Sequence, residues 1–378
     1  MRASAEPAPP RGRLKLTTEG LGWLASAAVL GALGWSKSLN LLLMLAYVML
    51  ALLVLNGVLA RLHAMRASSR RVLPVAVLAG ESAENAILVE NHSSRTASVQ
   101  VADRDHELFA SDLAASASLA FPVLERFSTR GRVRLPNLVT CSGYPFGFLR
   151  FERTESVVDS VAVLPALGEA DADGLRRWLL RMAGSEGRSR KTLRRVTHDH
   201  AEVRGVRPYR PGDSLRSVHW RTSARRRELM VREYDAAPSP ELLLVVDPWL
   251  PVEPTTEQRA ALEAAFSLAA TIASTWCRAL DTRVTLVVEE TVSQLSNDTG
   301  LREALVPLAD ASGSDSPQPP DAFVFGRHVS RAARLVVSSR PDSPLASSLA
   351  RVHGHAFATV DVSQALPWYA PPRPGGAA

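Results

Sequence analysis

The sequence predicts an α/β protein carried on an N-terminal transmembrane helical hairpin, with a β-sandwich-like region between the hairpin and the α/β part. Three observations carry this reading: nearly unbroken apolar runs at 21–36 and 39–60, strand-like patterns crowding 72–167, and strands alternating with helices beyond about residue 240. Alternation of that kind makes a mostly parallel sheet with helices on both faces. With 378 residues the chain exceeds the roughly 250 at which single cores divide, so more than one domain is required.

Composition narrows the class. Hydrophobic residues make up 46% and charged residues 22%, which argues against wholesale disorder and against a polytopic transporter. The two cysteines, Cys141 and Cys277, are far apart, so neither a disulfide framework nor a cysteine-based metal site is available. Net charge is +6, yet residues 185–235 hold fourteen Lys/Arg against seven Asp/Glu, leaving about −1 for the rest. Only three of the 44 cations are lysines (Lys15, Lys37, Lys191). An arginine excess of that kind follows base composition as readily as phosphate recognition, and no nucleic-acid partner is expected from it.

The second apolar run has 22 residues, enough to cross a bilayer, which takes about 20. The first is shorter and starts near Thr18, so 18–60 reads as two transmembrane helices after a cytoplasmic tail over 1–17. Arg2, Arg11, Arg13 and Lys15 precede the pair and Arg61, Arg66, Arg70 and Arg71 follow it, against Lys37 in the turn. Positive charge on the cytoplasmic side then places both termini in the cytoplasm of an inner-membrane protein. A cleaved signal peptide is the rival reading, and no small-x-small cleavage site precedes the second run.

A β-rich domain follows over 72–167, with strands at 86–91, 97–103, 119–124, 132–140 and 161–165. Val133 and Leu135 alternate with Arg132 and Arg134 as in a half-buried strand, while Pro74, Pro122 and Pro136 confine their strands to edges, bulges or starts. Residues 168–197 read as a helix and a basic linker. The helix, 173–184, takes Asp173 as N-cap and lines up Leu175, Trp178, Leu179 and Met182, a face that packs on a neighbouring domain or lies on a membrane. From 241 the pattern is strand (241–248), long helix (258–280) and strand (282–290). Further strands are read at 322–326, 334–339 and 355–362, and helices near 300–311 and 344–352. Residues 366–378 read as a flexible tail.

The segment over 198–235 carries the most chemistry. Pro211-Gly212 makes a tight turn, Asp213 or Ser214 caps a short helix over 215–220, and 228–234 is a strand. Nine arginines surround the turn, from Arg204 to Arg232, to be balanced by internal carboxylates, by solvent or by an anionic partner. The residues Arg207, Tyr209, Pro211, Gly212 and Asp213, then Arg216, Trp220, Ser223, Ala224 and Arg225, and finally Leu229, Val231, Arg232, Glu233 and Tyr234 resemble the signature of the domain of unknown function 58 family. The stretch GYPFGFLRF (143–151) and the double apolar run are also similar to that family's layout.

The resemblance implies a von Willebrand factor A-like α/β domain within 198–365, whose first strand ends at Asp247. Metal-binding versions of that domain carry D-x-S-x-S at this point, because one carboxylate and two hydroxyls are hard oxygen ligands for Mg²⁺. Here Trp249 and Pro251 stand at the two serine positions, so no metal or other cofactor is expected and Asp247 is at most a ligand-facing carboxylate. The resemblance further implies a scaffold or adaptor working with a MoxR-like AAA ATPase in protein maturation or assembly, and a transglutaminase-like membrane protein as a further partner. Arg207, Asp213, Arg216, Trp220 and Arg225 would form its polar platform.

Two alternatives come from other classes. The arginine-rich segment could hold a polyanion, an anionic lipid surface or nucleic acid. A metal-dependent hydrolase could use His198 and His200, which share one side of an extended strand, although no third ligand stands at suitable spacing. No P-loop, G-x-G-x-x-G, G-x-S-x-G or H-E-x-x-H occurs, and the chain is not read as an enzyme.

Overall fold

A computed structural model describes residues 12–104, 106–155, 159–185, 203–210, 218–234, 241–296, 300–318, 332–341, 343–353 and 356–373. Along the chain the elements are β1 (Gly12–Leu16), α1 (Thr18–Ser36), α2 (Asn40–Arg66), β2 (Ala67–Val72), β3 (Ala76–Leu78), β4 (Ser82–Asn91), β5 (Ala97–Asp103), β6 (His106–Leu113), β7 (Ser118–Arg126), β8 (Gly131–Arg134), β9 (Val139–Ser142), β10 (Leu149–Thr154), β11 (Ser160–Leu164) and β12 (Glu169–Ala170). They continue with α3 (Ala172–Ser185), β13 (Val203–Pro208), α4 (Trp220–Arg226), β14 (Met230–Tyr234), β15 (Leu242–Asp247), α5 (Thr256–Leu280), β16 (Val284–Val288), β17 (Thr291–Leu295), α6 (Leu301–Ala304), α7 (Val306–Asp310), β18 (Ala333–Ser338), α8 (Pro344–His353), β19 (Ala358–Asp361) and β20 (Tyr369–Ala370). Two compact units result. The first comprises Met1–Val75, Ser82–Arg126 and Arg132–Val161, the second Ala76–Glu81, Phe127–Gly131 and Ala162–Ala378.

The first unit combines the helix pair with two antiparallel sheets, β1-β10-β9-β5-β6 and β2-β4-β7. Ile87, Val89 and Val123 from the smaller sheet and Val99, Val101 and Ala110 from the larger share one core, the arrangement of a sandwich. Pro122 lies on β7, an edge strand, the kind of position to which proline is confined within a sheet. Residues 12–16 are not tail. They form β1 and pair with β10, Leu14 opposite Phe151, so the β-rich domain begins before residue 72 and includes chain on both sides of the helices. The single strand read over 132–140 is broken into β8 and β9, because Leu135-Pro136 interrupts the ladder.

α1 and α2 pack along one another: the Trp23 indole donates to the Met49 carbonyl at 2.9 Å, and Gly34 leaves room for the Leu43 backbone, which a Cβ there would meet at 2.9 Å. Further along α2 the inward face turns small and polar. Asn56, Gly57, Ala60, His63 and Ala64 are buried, Gly57 lies against Leu149, and Ala60 and Ala64 cluster with Phe151.

Two helices among the described residues are long and apolar enough to cross a membrane, α2 and α5; their most apolar stretches are 22% and 72% buried respectively. α5 is therefore a core helix of its unit. α1 is not among the two: Glu19 in its first turn and four glycines lower its hydropathy.

In the second unit a five-stranded sheet runs β17-β16-β15-β18-β19. β15 is parallel to β16 and β18, β18 is parallel to β19, and only β17 is antiparallel. The strand read over 282–290 corresponds to β16; β17, which returns directly after it, was not read from the sequence. Every residue of β15 is buried, and successive side chains serve opposite faces. Leu242, Leu244 and Val246 pack with Phe266, Ala269 and Ala273 of α5, while Leu243 and Val245 pack with Leu345 and Leu349 of α8. α5 starts with a capping box between Thr255 and Gln258 and stops at Asp281 in the left-handed region.

α3 packs Leu175, Trp178 and Leu179 into the same core, with Trp178 against Trp368 at 5.7 Å between ring centres. Its cap differs from expectation: the carboxylate of Asp171, not Asp173, accepts the backbone N–H of Asp173 at 3.1 Å. The helix begins one residue earlier than its apolar spacing indicates.

In the first unit the Arg71 guanidinium lies buried between carboxylates: Nε donates to Asp103 Oδ2 at 3.3 Å, Nη2 to Asp103 Oδ1, and Nη1 to Asp159 Oδ2 at 3.0 Å. Burial alone would lower its pKa, but the two carboxylates outweigh that and hold it above the ordinary value. Arg71→Met strands two acids and is expected to cost about 3–5 kcal/mol, read from the denaturation midpoint of the protein in detergent. Burial raises the thiol pKa of Cys141, against the pull of the Arg150 guanidinium at 2.8 Å, and also that of Cys277. Both thiols are expected to resist alkylation at neutral pH in the folded protein and to react only when denatured, a difference that mass spectrometry counts directly.

Candidate functional site

The signature segment folds as a strand hairpin carrying a short helix. β13 pairs antiparallel with β14, Arg207 opposite Val231, and the Tyr209 N–H donates to the Leu229 carbonyl at 2.8 Å. That short helix, α4, begins at Trp220 and is preceded by Val218, which bridges to Val231, and by His219 at its cap; the helix read over 215–220 falls mostly outside the described residues. Residues 215–217 lie outside the described residues, as do Pro211, Gly212, Asp213 and Arg216.

α4 is fastened by the signature's small polar residues. His219 caps it, Nδ1 accepting from the Thr222 N–H at 3.2 Å. The buried Ser223 hydroxyl accepts the Met230 N–H at 2.9 Å and faces the His219 carbonyl at 3.1 Å, tying helix to strand. Ser223 is thus a structural pin. Trp220 stays 65% exposed, and Arg221, Arg225, Arg226 and Arg227 are exposed on the same element. Arg207 is half-buried and donates to the Pro208 carbonyl at 3.1 Å. Arg232 and Glu233 lie in β14; their side chains, with His198 and His200, fall outside the described residues.

A second cluster stands where parallel strands end. The register sets Asp247, Ser338 and Asp361 side by side at the C-terminal ends of β15, β18 and β19, the edge at which open α/β sheets bind ligands. Asp361 is satisfied by its own loop, through the Ser363 N–H at 2.9 Å and the Gln364 side chain at 2.5 Å. Asp247 draws on residues distant in sequence. Its fully buried Oδ2 accepts the hydroxyls of Ser338 at 3.0 Å and Ser343 at 2.6 Å. Arg340 Nε stands 3.6 Å from the same oxygen, and the guanidinium stacks 4.3 Å from the centre of the Trp249 ring. Ser339 donates to the Trp249 carbonyl at 3.1 Å, and Ser343 immediately precedes α8, whose positive end faces the carboxylate.

Asp247 Oδ1 is buried without a hydrogen-bond partner. One carboxylate and two hydroxyls are the hard oxygens that Mg²⁺ accepts, and folding supplies both serines that 249 and 251 lack. The residues nevertheless do not fit a metal: both hydroxyls direct their protons to the carboxylate oxygen, and Arg340 already supplies the compensating charge. Among the described residues no group of three His, Cys, Asp or Glu side chains could hold one.

Beside this cluster the chain leaving β15 borders an open cleft of about 670 Å³, lined by Leu250, Pro251, Val252, Arg259 and Arg130. Arg130 is locked, with two nitrogens on the Glu263 carboxylate at 2.8 Å each, a third on the Ala311 carbonyl at 2.8 Å, and its plane 4.0 Å from the centre of the Phe266 ring. The sequence reading singled out Asp247, Trp249 and Pro251 but missed Ser338, Arg340 and Ser343. The only signal was the polar run SSRPDS after a strand, and no spacing rule links it to a carboxylate 91 residues away.

Residues 205–354 match the family described as Protein of unknown function DUF58, which supports the resemblance read from the signature. The match takes in α4 and the Asp247 cluster. The uncharacterized protein YeaD of Bacillus subtilis (strain 168) is 40% identical over 50 residues, spanning 13% of this chain and 13% of that protein.

Asp247→Ala removes the acceptor of two hydroxyls and the counter-charge of Arg340. It is expected to lower stability by about 2–4 kcal/mol, with Asp247→Asn closer to wild type in thermal unfolding because the amide keeps one acceptor oxygen.

Proposed function

We propose that this chain is a membrane-anchored adaptor of the DUF58 type, held at the inner face of the cell membrane by the α1–α2 hairpin with both termini cytoplasmic. Its von Willebrand factor A-like domain presents a recognition surface at the C-terminal edge of the sheet. The observation that carries this reading is the Arg340–Trp249 stack over the Asp247 carboxylate. It is a cation set 3.6 Å from a buried acid and stacked on an indole, at the edge where such sheets take their ligands. Arg340 remains 23% exposed, and the cluster offers no nucleophile–base pair. A fixed, partly compensated charge on an aromatic surface suits recognition of another protein. The strand order, with β15 central and β17 antiparallel at one edge, supports the domain reading, and the exposed apolar flank of α2 supports the anchor.

The partner proposed is a MoxR-like AAA ATPase, with maturation or assembly of other proteins as the setting and a transglutaminase-like membrane protein as a further associate. Purification of the tagged full chain from its host in mild detergent, with Mg²⁺ and a slowly hydrolysed ATP analogue, is expected to enrich an AAA ATPase identifiable by mass spectrometry. Arg340→Ala and Arg216→Ala are each expected to abolish the enrichment. Recovery of the adaptor without an ATPase would end this reading.

A second reading rests on α4, where Arg221, Arg225, Arg226 and Arg227 are all exposed. These cations suit an anionic lipid surface or another polyanion. Association that persists unchanged as ionic strength rises would dispose of it.

A further inference from the structure

The turn joining β9 to β10, residues 143–148, is held in an unusual way. Asn56 sits in the otherwise apolar α2 and is fully buried. Its amide Nδ2 donates to the carbonyls of Gly143 and Tyr144, each at 2.9 Å, and its Oδ1 accepts the Leu149 N–H at 2.7 Å. From the other helix, the Thr17 hydroxyl, which caps α1, lies 2.7 Å from the Gly147 carbonyl, and the Thr17 N–H donates to the Phe148 carbonyl at 3.1 Å. Gly20 makes this approach possible, since a Cβ there would stand 1.9 Å from the Phe148 oxygen. These five polar contacts fix the short turn and the first residue of β10 to α2 and to the cap of α1.

The same turn displays aromatic rings. Phe148 stacks on Trp23 at 4.4 Å, Phe146 on Phe148 at 5.5 Å, and Tyr144 on His63 at 4.3 Å between ring centres. Tyr144 and Phe146 remain 42% and 48% exposed, and Leu14 and Leu16 on neighbouring β1 are 52% and 42% exposed. Water gives no reason to hold such rings outward on a pinned backbone, since exposed apolar area costs about 25 cal/mol per Å². Their height along the helices supplies one. Thr17 and Asn56 mark the level at which the cationic stretches, Arg13 and Lys15 on one side and Arg61 on the other, give way to the apolar runs. Rings with an apolar body and, for tyrosine, a polar tip belong at the boundary between headgroups and hydrocarbon.

We infer that the 143–148 turn is a membrane-interface anchor of the β-domain: Tyr144 and Phe146 insert into the headgroup boundary of the bilayer that α2 enters. The inference rests on the membrane-anchor reading above. It assigns the turn a lipid-binding task that neither helix performs, that of fixing the height and tilt of the β-domain at the surface.

The test uses the full chain reconstituted into vesicles of phosphatidylcholine with a minority of phosphatidylglycerol. Single cysteines carry a nitroxide at position 146 (Phe146→Cys), at 41 (Leu41→Cys, on the outer face of α2) or at 94 (Ser94→Cys, on an exposed loop of the same unit). Cys141 and Cys277 are buried and stay unlabelled. Collision with oxygen is expected to exceed collision with a water-soluble nickel complex at 41 and 146, with the order reversed at 94. A label at 144 (Tyr144→Cys) is expected to behave as 146 does and serves if the first variant does not fold. Nickel dominance at both 144 and 146, with oxygen dominance at 41, overturns the interface anchor while leaving the transmembrane reading intact. Nickel dominance at 41 as well overturns both.

Discussion

A carboxylate with no access to water must be satisfied by the protein or not be charged, and Asp247 imposes that constraint on the α/β unit. It ends a strand buried over its whole length, so no solvent-facing rotamer is open to it. Three segments converge in response. The end of β18 contributes Ser338, the residue before α8 contributes Ser343, and the intervening turn returns Arg340. Stacking on that guanidinium then orients Trp249 on the chain leaving β15. A network of this kind is rigid because each member loses its partner if another moves.

The first unit answers the same problem with an amide. Asn56 is fully buried on an otherwise apolar helix, where its polar atoms would go unmatched, and it gathers three backbone groups of the 143–148 turn and the start of β10 instead. The small residues that follow, Gly57, Ala60 and Ala64, let the last turns of α2 approach β10 closely. A helix whose outer flank stays apolar thus becomes, on its inner flank, part of a β-domain core. Polar satisfaction and close packing together couple the helix to the sheet.

Within the signature the motif residues divide by task. Ser223 and His219 spend their polar atoms on the backbone that shapes α4. The arginines of that helix and Trp220 stay outside. A motif that specifies both a local scaffold and an exposed surface reads identically in sequence whichever residue serves which role, and only the hydrogen bonds separate them.

Periodicity made most elements legible. The run from Leu242 to Asp247, the long helix after Thr255 and the alternation along β5 are local patterns, set by side-chain burial every second or every 3.6 residues. Elements lacking such a pattern were hidden. β1 exposes every residue and exists because β10 offers an edge; β17 is mostly exposed and depends on β16. The site divided in the same way. Asp247 could be placed from sequence because a strand's end is a local property, and Trp249 and Pro251 are seen there to stand where serine ligands would be. That the hydroxyls of Ser338 and Ser343 reach the carboxylate, and that Arg340 brings a charge beside it, was decided only in the folded unit, where β15 pairs with β18 and the chain leaving β18 returns over the strand end. Strand pairing joins residues by register rather than by spacing, and register across 91 residues is a property of the folded sheet.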